Sequence, residues 1–177
     1  MPKIVLIGYR ATGKSTVGRL LAEKLGLPFL DLDQYLIQKM GRSIREVVAE
    51  KGWAYFRARE KEALLEMASR GPLVLACGGG AVLHEKEFDF LKKGALVVWL
   101  SARPETIAER LSRDSSTKEN RPSLTGKDIL EEIKEVLTSR LALYQKFADL
   151  VIETDQHSPK EVVELIMGYL RDNGFRK

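Results

Sequence analysis

The chain has 177 residues, of which 44% are hydrophobic and 31% are charged, and this length is close to that of one ordinary domain. The composition excludes a wholly disordered chain and a collagen-like repeat. With 29 Lys and Arg residues against 25 Asp and Glu residues, the net charge is +4, a mild value that an anionic small molecule explains as well as a nucleic acid does.

The sequence shows no sign of export, of a membrane span or of disulfide stabilisation. Its single cysteine, Cys77, excludes an internal disulfide and follows an apolar run, so we expect a small buried side chain. No segment reaches the run of about 18 apolar residues that a membrane span needs, and the N-terminus lacks the layout of a signal peptide. We therefore expect a soluble, cytoplasmic protein.

Short apolar runs alternate with longer amphipathic stretches along the chain. Because the runs are apolar on both faces, they predict strands of a parallel sheet that is covered on both sides. The predicted strands are Lys3–Ile7, Pro28–Leu32, Leu73–Cys77, Ala95–Leu100 and Leu150–Ile152. Helical spacing of apolar residues predicts helices over Lys14–Leu25, Gln34–Lys51, Trp53–Ala68, Glu85–Leu91, Glu105–Leu111, Ile129–Phe147 and Pro159–Leu170. The alternation predicts an α/β fold with right-handed crossovers.

One polar segment, Ser112–Thr125, interrupts this alternation. Long loops in compact domains are usually functional lids or disordered segments. From composition alone, a lid and a plain solvated surface loop are equally good interpretations.

The first predicted strand leads into a complete phosphate-binding motif, Gly8-Tyr9-Arg10-Ala11-Thr12-Gly13-Lys14-Ser15, and a predicted helix follows it. The motif requires this context, because backbone N–H groups of the loop and the helix N-terminus surround phosphate oxygens. Lys14 reaches the terminal phosphates, and the Ser15 hydroxyl can ligate Mg²⁺. The motif therefore predicts binding of a nucleoside triphosphate, in preference to a glycine turn that only caps a helix.

Two aspartates follow the second apolar run, in the segment Phe29-Leu30-Asp31-Leu32-Asp33. On a strand, Asp31 and Asp33 would point to the same face at the carboxyl end, where ligands of open α/β sheets bind. They are candidates to hold a metal-bound water and to accept a proton from a hydroxyl group. The alternative is that Asp33 only caps a helix that begins at Gln34.

A glycine turn and two arginines are further candidates for a ligand site. Cys77-Gly78-Gly79-Gly80 follows the third apolar run, and its glycines permit a ligand to approach the backbone closely. Arg57 and Arg140 carry the planar group that binds a carboxylate at two points, although a single helical arginine is more often a solvated charge. The two histidines, His84 and His157, have no partner at metal-ligand spacing.

These motifs occur in the order found in the shikimate kinase family, which the chain resembles over essentially its full length. The resemblance rests on GYRATGKSTVG, FLDLD, FRARE, CGGG, NRPSL and RLALY. It implies five parallel strands flanked by helices on both faces, in the class of P-loop NTPases that are similar to nucleoside monophosphate kinases. It also implies one domain over residues 1–177, with a substrate-binding helical region at 34–70 and a lid at 112–125. The sequence departs from the family at Ala11, where glycine is frequent, and at Ser123, which replaces a leucine.

The activity that this resemblance implies is transfer of the γ-phosphoryl group of ATP to the 3-hydroxyl of shikimate, a step toward chorismate and the aromatic amino acids. ATP is then the co-substrate, and one Mg²⁺ ion is held by Ser15 and, through water, by Asp31. The implied catalytic residues are Asp33 as the base, Lys14 and the lid residue Arg121. The implied shikimate-binding residues are Asp33, Arg57, Gly78, Gly79, Gly80 and Arg140. The implied ATP-binding residues are Ala11, Thr12, Gly13, Lys14, Ser15, Thr16, Arg113, Arg121 and His157.

Two other functions are compatible with part of these observations. A gluconate-type kinase shares the phosphate loop and the size, and gluconate is also an anionic polyol. A non-catalytic nucleotide-binding module would bind ATP without transferring phosphate, but such a module has no need of a base at Asp33. No nucleic acid or membrane partner is expected, and a monomer is the expected state.

Overall fold

The computed structural model describes residues 2–114, 123, 125, 126 and 128–174. Within these ranges the strands are β1 (Lys3–Ile7), β2 (Phe29–Asp31), β3 (Val74–Ala76), β4 (Ala95–Ser101) and β5 (Leu150–Glu153). The helices are α1 (Lys14–Leu25), α2 (Leu32–Met40), α3 (Ile44–Ser69), α4 (Glu85–Lys92), α5 (Pro104–Arg113), α6 (Ile129–Phe147) and α7 (Pro159–Asp172). Short 3₁₀ turns lie at Ala81–Leu83 and Thr154–Gln156. None of the helices described has the length and apolar composition needed to cross a membrane.

The five strands form one parallel sheet in the order β2-β3-β1-β4-β5, which confirms the predicted fold class. The central strand β1 pairs with β3 and β4, and Val5 lies opposite Leu75 on one side and Val97 on the other. Parallel neighbours need crossover connections, which the helices provide on both faces. Because all strands run in the same direction, the loops after β1, β2 and β3 open onto the same edge of the sheet.

Alternate residues of β1 fill two separate cores. Val5 and Ile7 pack with α2, α3, α4 and α6, whereas Ile4 and Leu6 pack with α1 and α7. All four side chains are buried. Burial on both faces of the strand is the reason why its sequence is a continuous apolar run. A third, smaller cluster lies between α5 and α6.

The boundary between β2 and α2 differs from the prediction. The strand ends at Asp31, and α2 begins at Leu32, inside the predicted strand. The helix ends at Met40, because Gly41 adopts the left-handed conformation with φ 68°.

The next helix begins at a place that was not predicted, but its kink falls at a predicted helix boundary. The Glu46 N–H donates to the Ser43 hydroxyl, and the Glu46 carboxylate accepts from the Ser43 N–H, which forms a capping box before α3. The prediction ended one helix at Lys51 and began another at Trp53. In the structure α3 is broken at Gly52, whose backbone is not helical (φ 81°, ψ 168°), so the predicted break between Lys51 and Trp53 is confirmed.

The predicted lid, Ser112–Thr125, begins within the last turn of α5, which ends at Arg113. Of the remaining lid residues, the structure describes 114, 123 and 125. The predicted lid residue Arg121 lies outside the described residues.

Candidate active site

The loop after β1 turns tightly before the N-terminus of α1. Its backbone is left-handed at Ala11 (φ 60°) and Gly13 (φ 92°), and Gly8 has φ 142°. A Cβ atom at Gly8 would collide with the carbonyl group of Leu100 and lie 2.9 Å from Thr12 Oγ1, so this position requires glycine. At Ala11, by contrast, the loop accepts a small side chain in a left-handed conformation.

Lys14 is held against this loop by two hydrogen bonds. Its Nζ donates to the backbone oxygen of Gly8 at 2.9 Å and to that of Tyr9 at 2.7 Å. The Thr12 hydroxyl donates to the same Tyr9 oxygen at 2.7 Å. The ammonium group therefore stays close to the start of α1, where N–H groups and the helix dipole favour an anion.

Asp31 connects β2 to both neighbouring helices. Its Oδ1 accepts hydrogen bonds from the N–H groups of Asp33 at 3.0 Å and Gln34 at 3.2 Å, and so caps α2. Its Oδ2 accepts a hydrogen bond from the Ser15 hydroxyl. The prediction that Asp31 and Asp33 share a strand face is wrong, because Asp33 lies in the first turn of α2. The alternative in which Asp33 caps the helix is also wrong, since Asp31 is the cap.

A cleft of about 310 Å³ opens between the phosphate loop, the start of α2 and the glycine turn. The predicted site residues on its wall are Ala11, Gly13, Lys14, Ser15, Thr16, Asp31, Asp33, Gly78 and Gly79. Asp31 and Asp33 thus lie on the wall of the same cleft, although Asp33 belongs to a helix and not to the predicted strand. Cys77 also lies on the wall, and it is the small buried side chain that was expected. Burial raises the pKa of its thiol, which keeps the thiol neutral.

The glycine turn lies between the phosphate loop and the two predicted arginines. A Cβ atom at Gly79 would lie 3.4 Å from Arg140 Nη1 and 3.5 Å from the carbonyl oxygen of Gly8. A Cβ atom at Gly80 would collide with Arg57, at 2.5 Å from its Cζ and Nη2. Because these two positions have no side chains, both guanidinium groups can lie against the turn.

Arg140 is a buried cation with no counter-ion in the described part of the chain. Arg140 is 6% exposed, and no described residue makes a hydrogen bond or ion pair with its side chain. Tyr144, one helical turn later, donates its hydroxyl to the Gly79 oxygen at 2.9 Å and so fixes the turn beside it. An uncompensated buried charge is costly, so this arrangement favours an anionic ligand beside the turn.

Arg57 is held by two aromatic rings and by a carboxylate that the sequence reasoning missed. Its Cζ lies 5.2 Å from the centroid of a Trp53 ring and 5.5 Å from that of Phe56. Its Nη1 donates to Glu60 Oε1 at 2.6 Å, and the same oxygen lies 3.0 Å from His84 Nε2. Burial alone would raise the pKa of Glu60, but the hydrogen bonds and charges of His84 and Arg57 outweigh it and lower that pKa. The three-residue spacing of Arg57 and Glu60 on one helix was the available signal.

A second pocket, of about 200 Å³, also borders the phosphate loop. The predicted ATP-binding residues on its wall are Ala11, Thr12, Gly13, Thr16 and His157. Arg110, which was not predicted, lies there too, and its Nη1 donates to the Ala11 oxygen at 3.1 Å and to Thr154 Oγ1 at 3.0 Å. Arg113 is not on this wall, since its side chain is 77% exposed and pairs with Glu109 at 2.5 Å.

The sequence profile of a family described as Shikimate kinase matches residues 10–171 of this chain. The chain belongs to the shikimate kinase family. A shikimate kinase from Syntrophus aciditrophicus is 42% identical over 180 residues, which cover 97% of this chain and 92% of the relative. The solved structure of a shikimate kinase from Acinetobacter baumannii in complex with shikimate matches with a TM-score of 0.91 and 36% identity, covering 99% of this chain and 96% of that one.

Membership of the shikimate kinase family confirms the predicted family and the predicted activity class, an ATP-dependent phosphotransferase of aromatic amino acid biosynthesis. A gluconokinase from Sinorhizobium meliloti has a TM-score of 0.58 at 23% identity, which shows the shared fold alone. The family match therefore favours a shikimate kinase over a gluconate-type kinase, and a kinase over a non-catalytic module.

Proposed function

We propose that the chain transfers the γ-phosphoryl group of ATP to the 3-hydroxyl of shikimate within the cleft described above. One observation carries this proposal: Gly79 lies against the phosphate loop through Gly8 and against Arg140. A nucleotide on the loop and an anionic acceptor beside the arginines would face each other across the glycine turn. Such placement of two reactants supplies much of the catalysis of phosphoryl transfer.

The carboxylate of shikimate would be bound by Arg57 and Arg140. Arg140 brings a buried positive charge that the described residues leave uncompensated, which an acceptor carboxylate would balance. Arg57 brings a guanidinium group whose direction is already set by Glu60 and the aromatic rings. Gly78, Gly79 and Gly80 would let the acceptor approach the backbone of the turn.

Asp33 would orient the acceptor hydroxyl and take its proton. It is half-buried in the first turn of α2 and shares the cleft wall with Lys14. As the acceptor oxygen bonds to the γ-phosphorus, the bond from that phosphorus to the β,γ-bridging oxygen breaks and ADP leaves. The hydroxyl proton passes to the Asp33 carboxylate.

The phosphates of ATP would lie on the backbone N–H groups of residues 11–16, with Lys14 exchanging its carbonyl partners for phosphate oxygens. The Ser15 hydroxyl and the Asp31 carboxylate are in contact on the cleft wall, and oxygen donors of this kind suit Mg²⁺. Ser15 would hold the ion directly and Asp31 through water, and the ion would neutralise charge on the phosphates. Contact of Arg121 with the phosphates stays a prediction, since this residue lies outside the described part of the chain.

The adenine end of ATP would lie near Arg110 and His157, on the wall of the second pocket. Arg110 supports this proposal better than Arg113, because its guanidinium group borders the phosphate loop whereas Arg113 extends toward solvent. A planar guanidinium group is suited to stack on a purine ring.

The test of the reaction is ADP release with ATP and Mg²⁺ in the presence of shikimate, gluconate, a nucleoside monophosphate or water. We expect ADP with shikimate only, and equal release with gluconate would overturn the acceptor assignment. Asp33→Asn should keep ATP affinity within about two-fold and lower turnover by about 10²- to 10⁴-fold, the usual range for a lost acid–base group. Asp89→Asn, an identical change at an exposed site on α4, is the matched control and should leave turnover unchanged. Unchanged turnover in Asp33→Asn would assign that residue a structural role.

The wider organisation expected from the sequence also stays a prediction. It comprises a single domain over 1–177 with a substrate-binding region at 34–70 and a lid at 112–125, a monomeric state and a cytoplasmic location. Sedimentation of the pure protein tests the monomer. Limited proteolysis with and without substrates tests the lid, since a lid that closes would be cleaved more slowly in the ternary complex.

A further inference from the structure

We propose that His84 is a positioning residue for shikimate, and that it acts by holding Glu60, which in turn holds Arg57. The inference rests on the proposed role of Arg57 in binding the acceptor carboxylate. His84 itself would touch neither substrate.

The three side chains form one connected group. Glu60 Oε1 accepts from Arg57 Nη1 at 2.6 Å and lies 3.0 Å from His84 Nε2. The Glu60 side chain is 1% exposed and that of His84 is 12% exposed, so the group is largely shielded from water. Hydrogen bonds to charged groups are strong in such surroundings and set side-chain geometry.

Glu60 depends on these two partners. Its second carboxylate oxygen is buried and has no hydrogen bond within the described residues. If the His84 bond is lost, one contact to Arg57 is all that fixes the carboxylate, which can then rotate about its side-chain bonds. Arg57 would follow, and part of its orientation would have to be regained when shikimate binds.

The position of His84 in the chain connects the same group to the glycine turn. The 3₁₀ turn between them is closed by hydrogen bonds from the Ala81 N–H to Gly78 at 3.1 Å and from the Leu83 N–H to Gly80 at 3.0 Å. The backbone oxygen of His84 then accepts from the Phe88 N–H at 2.8 Å at the start of α4. His84 therefore ties α3, which carries Arg57, to the segment that carries the shikimate-facing glycines.

A nearby ion pair on the same helix–helix contact provides a matched control. Lys61 of α3 pairs with Glu87 of α4 at 3.1 Å, and in the described part of the chain neither side chain has a hydrogen bond or ion pair with Glu60 or Arg57. Lys61→Gln breaks this pair between α3 and α4 and leaves the side chains of Arg57, Glu60 and His84 unchanged.

The experiment compares steady-state kinetics of His84→Leu, His84→Gln and Lys61→Gln with the unchanged chain. In His84→Leu we expect the KM for shikimate to rise about ten-fold, the loss of one hydrogen bond to a charged group, with kcat and the KM for ATP within about two-fold. His84→Gln places an amide N–H near the Nε2 position and should recover most of the loss. Lys61→Gln should leave all three constants within about two-fold.

A double-mutant cycle tests the route through Glu60. If His84 acts only through that carboxylate, adding His84→Leu to Glu60→Leu, which removes the acceptor oxygen, should not raise the KM for shikimate further. The proposal would be overturned if the two substitutions raised the KM for shikimate independently, so that their effects multiplied. It would also be overturned if the KM for ATP rose equally, or if Lys61→Gln raised the KM for shikimate as much as His84→Leu does. If His84→Leu fails to fold, His84→Asn, which is too short to reach Glu60, replaces it with the same expected loss.

Arg57→Met separates this proposal from the one on which it rests. A normal KM for shikimate in Arg57→Met, which removes the charge, would reject the carboxylate role of Arg57. A raised KM there with a normal KM in His84→Leu would reject only the role of His84.

Discussion

Replacing Gly80 by alanine is expected to weaken shikimate binding while leaving the fold intact. Gly80 has φ −93° and ψ 0°, which alanine can adopt. The effect of the substitution therefore comes from the new Cβ atom. That atom would lie 2.5 Å from Arg57 Cζ and Nη2.

The size of the effect follows from this overlap. Carbon atoms in contact are normally about 3.5–4.0 Å apart, so the guanidinium group must move by about 1 Å or more. Because the colliding atoms are at the end of a flexible side chain, we expect a cost in the free energy of unfolding of about 1–2 kcal/mol, at the low end of overpacking. For a protein of this size that lowers Tm by about 2–8 °C.

The loss in the free energy of shikimate binding should be larger than the loss in the free energy of unfolding. A displaced Arg57 would lose its fixed position beside the glycine turn and its charge-assisted hydrogen bond to the shikimate carboxylate. Such a hydrogen bond contributes about 1.5–3 kcal/mol. The KM for shikimate should then rise by about 10- to 150-fold. The KM for ATP should stay within about two-fold, since the phosphate loop is unchanged.

Steady-state kinetics and a thermal melt measure both quantities. Gly71→Ala is the control, because Gly71 is exposed and a Cβ atom there meets nothing within 4 Å. If Gly80→Ala keeps its KM for shikimate within about two-fold while folding normally, Arg57 is not positioned by the turn in the way described.

Three further predictions concern individual charges of the site. Arg140→Met should raise the Tm of the ligand-free protein by about 2–6 °C, because it removes an uncompensated buried cation, and should abolish the thermal stabilisation by shikimate. Arg110→Ala should raise the KM for ATP by about ten-fold, whereas Arg113→Ala, at an exposed ion pair, should change it by less than about two-fold. Glu60→Gln should lower the free energy of unfolding at pH 7 by about 1–3 kcal/mol. Since the pKa of Glu60 is lowered from 4.5 in the folded protein, that difference should be complete above pH 4.5 and disappear as the pH falls through the folded value.

Each of these three predictions has a result that would contradict it. A lower Tm in Arg140→Met, or shikimate stabilisation that persists there, would mean that the cation has a partner in solution. Equal effects of Arg110→Ala and Arg113→Ala on ATP would remove the reason to distinguish them. Urea unfolding of Glu60→Gln and the unchanged chain from pH 7 to 3 measures the last prediction, and a difference that does not depend on pH would contradict it.

The sheet and the phosphate loop were predictable because their signals are local. A buried central strand such as Lys3–Ile7 is apolar at every position, and the loop after it follows a fixed pattern. The boundaries around β2 were predicted less well, since β2 is three residues long and the Asp31 side chain starts a helix where alternation suggested more strand. Gly41 and the capping box at Ser43 were available signals that alternation of apolar residues does not capture.

The sequence alone could not show that the two arginines lie beside the same turn. Arg57 and Arg140 lie 83 positions apart in the numbering, and only the packing of α3 and α6 against the glycine turn brings them together. For Arg110 and Arg113 the useful signal was helix periodicity, because Arg110 adjoins the buried residues Ile107 and Leu111 of α5. The contact of His84 with Glu60 has no counterpart in spacing or composition, and it required the packed structure.

The two arginines beside the glycine turn differ in how their charges are balanced, and this difference predicts different roles in binding an acceptor carboxylate. Arg57 is already paired with Glu60, so its guanidinium is oriented before the acceptor arrives and little side-chain entropy is lost on binding. Arg140 has no described partner, so an incoming carboxylate would relieve the cost of a buried charge that a neutral sugar or water would leave in place. A neutral polyol would therefore benefit from the fixed orientation of Arg57 but would leave the charge of Arg140 uncompensated. The site should discriminate against it chiefly through Arg140, and Arg140→Met should reduce the preference for shikimate over its carboxamide more than Gly80→Ala does.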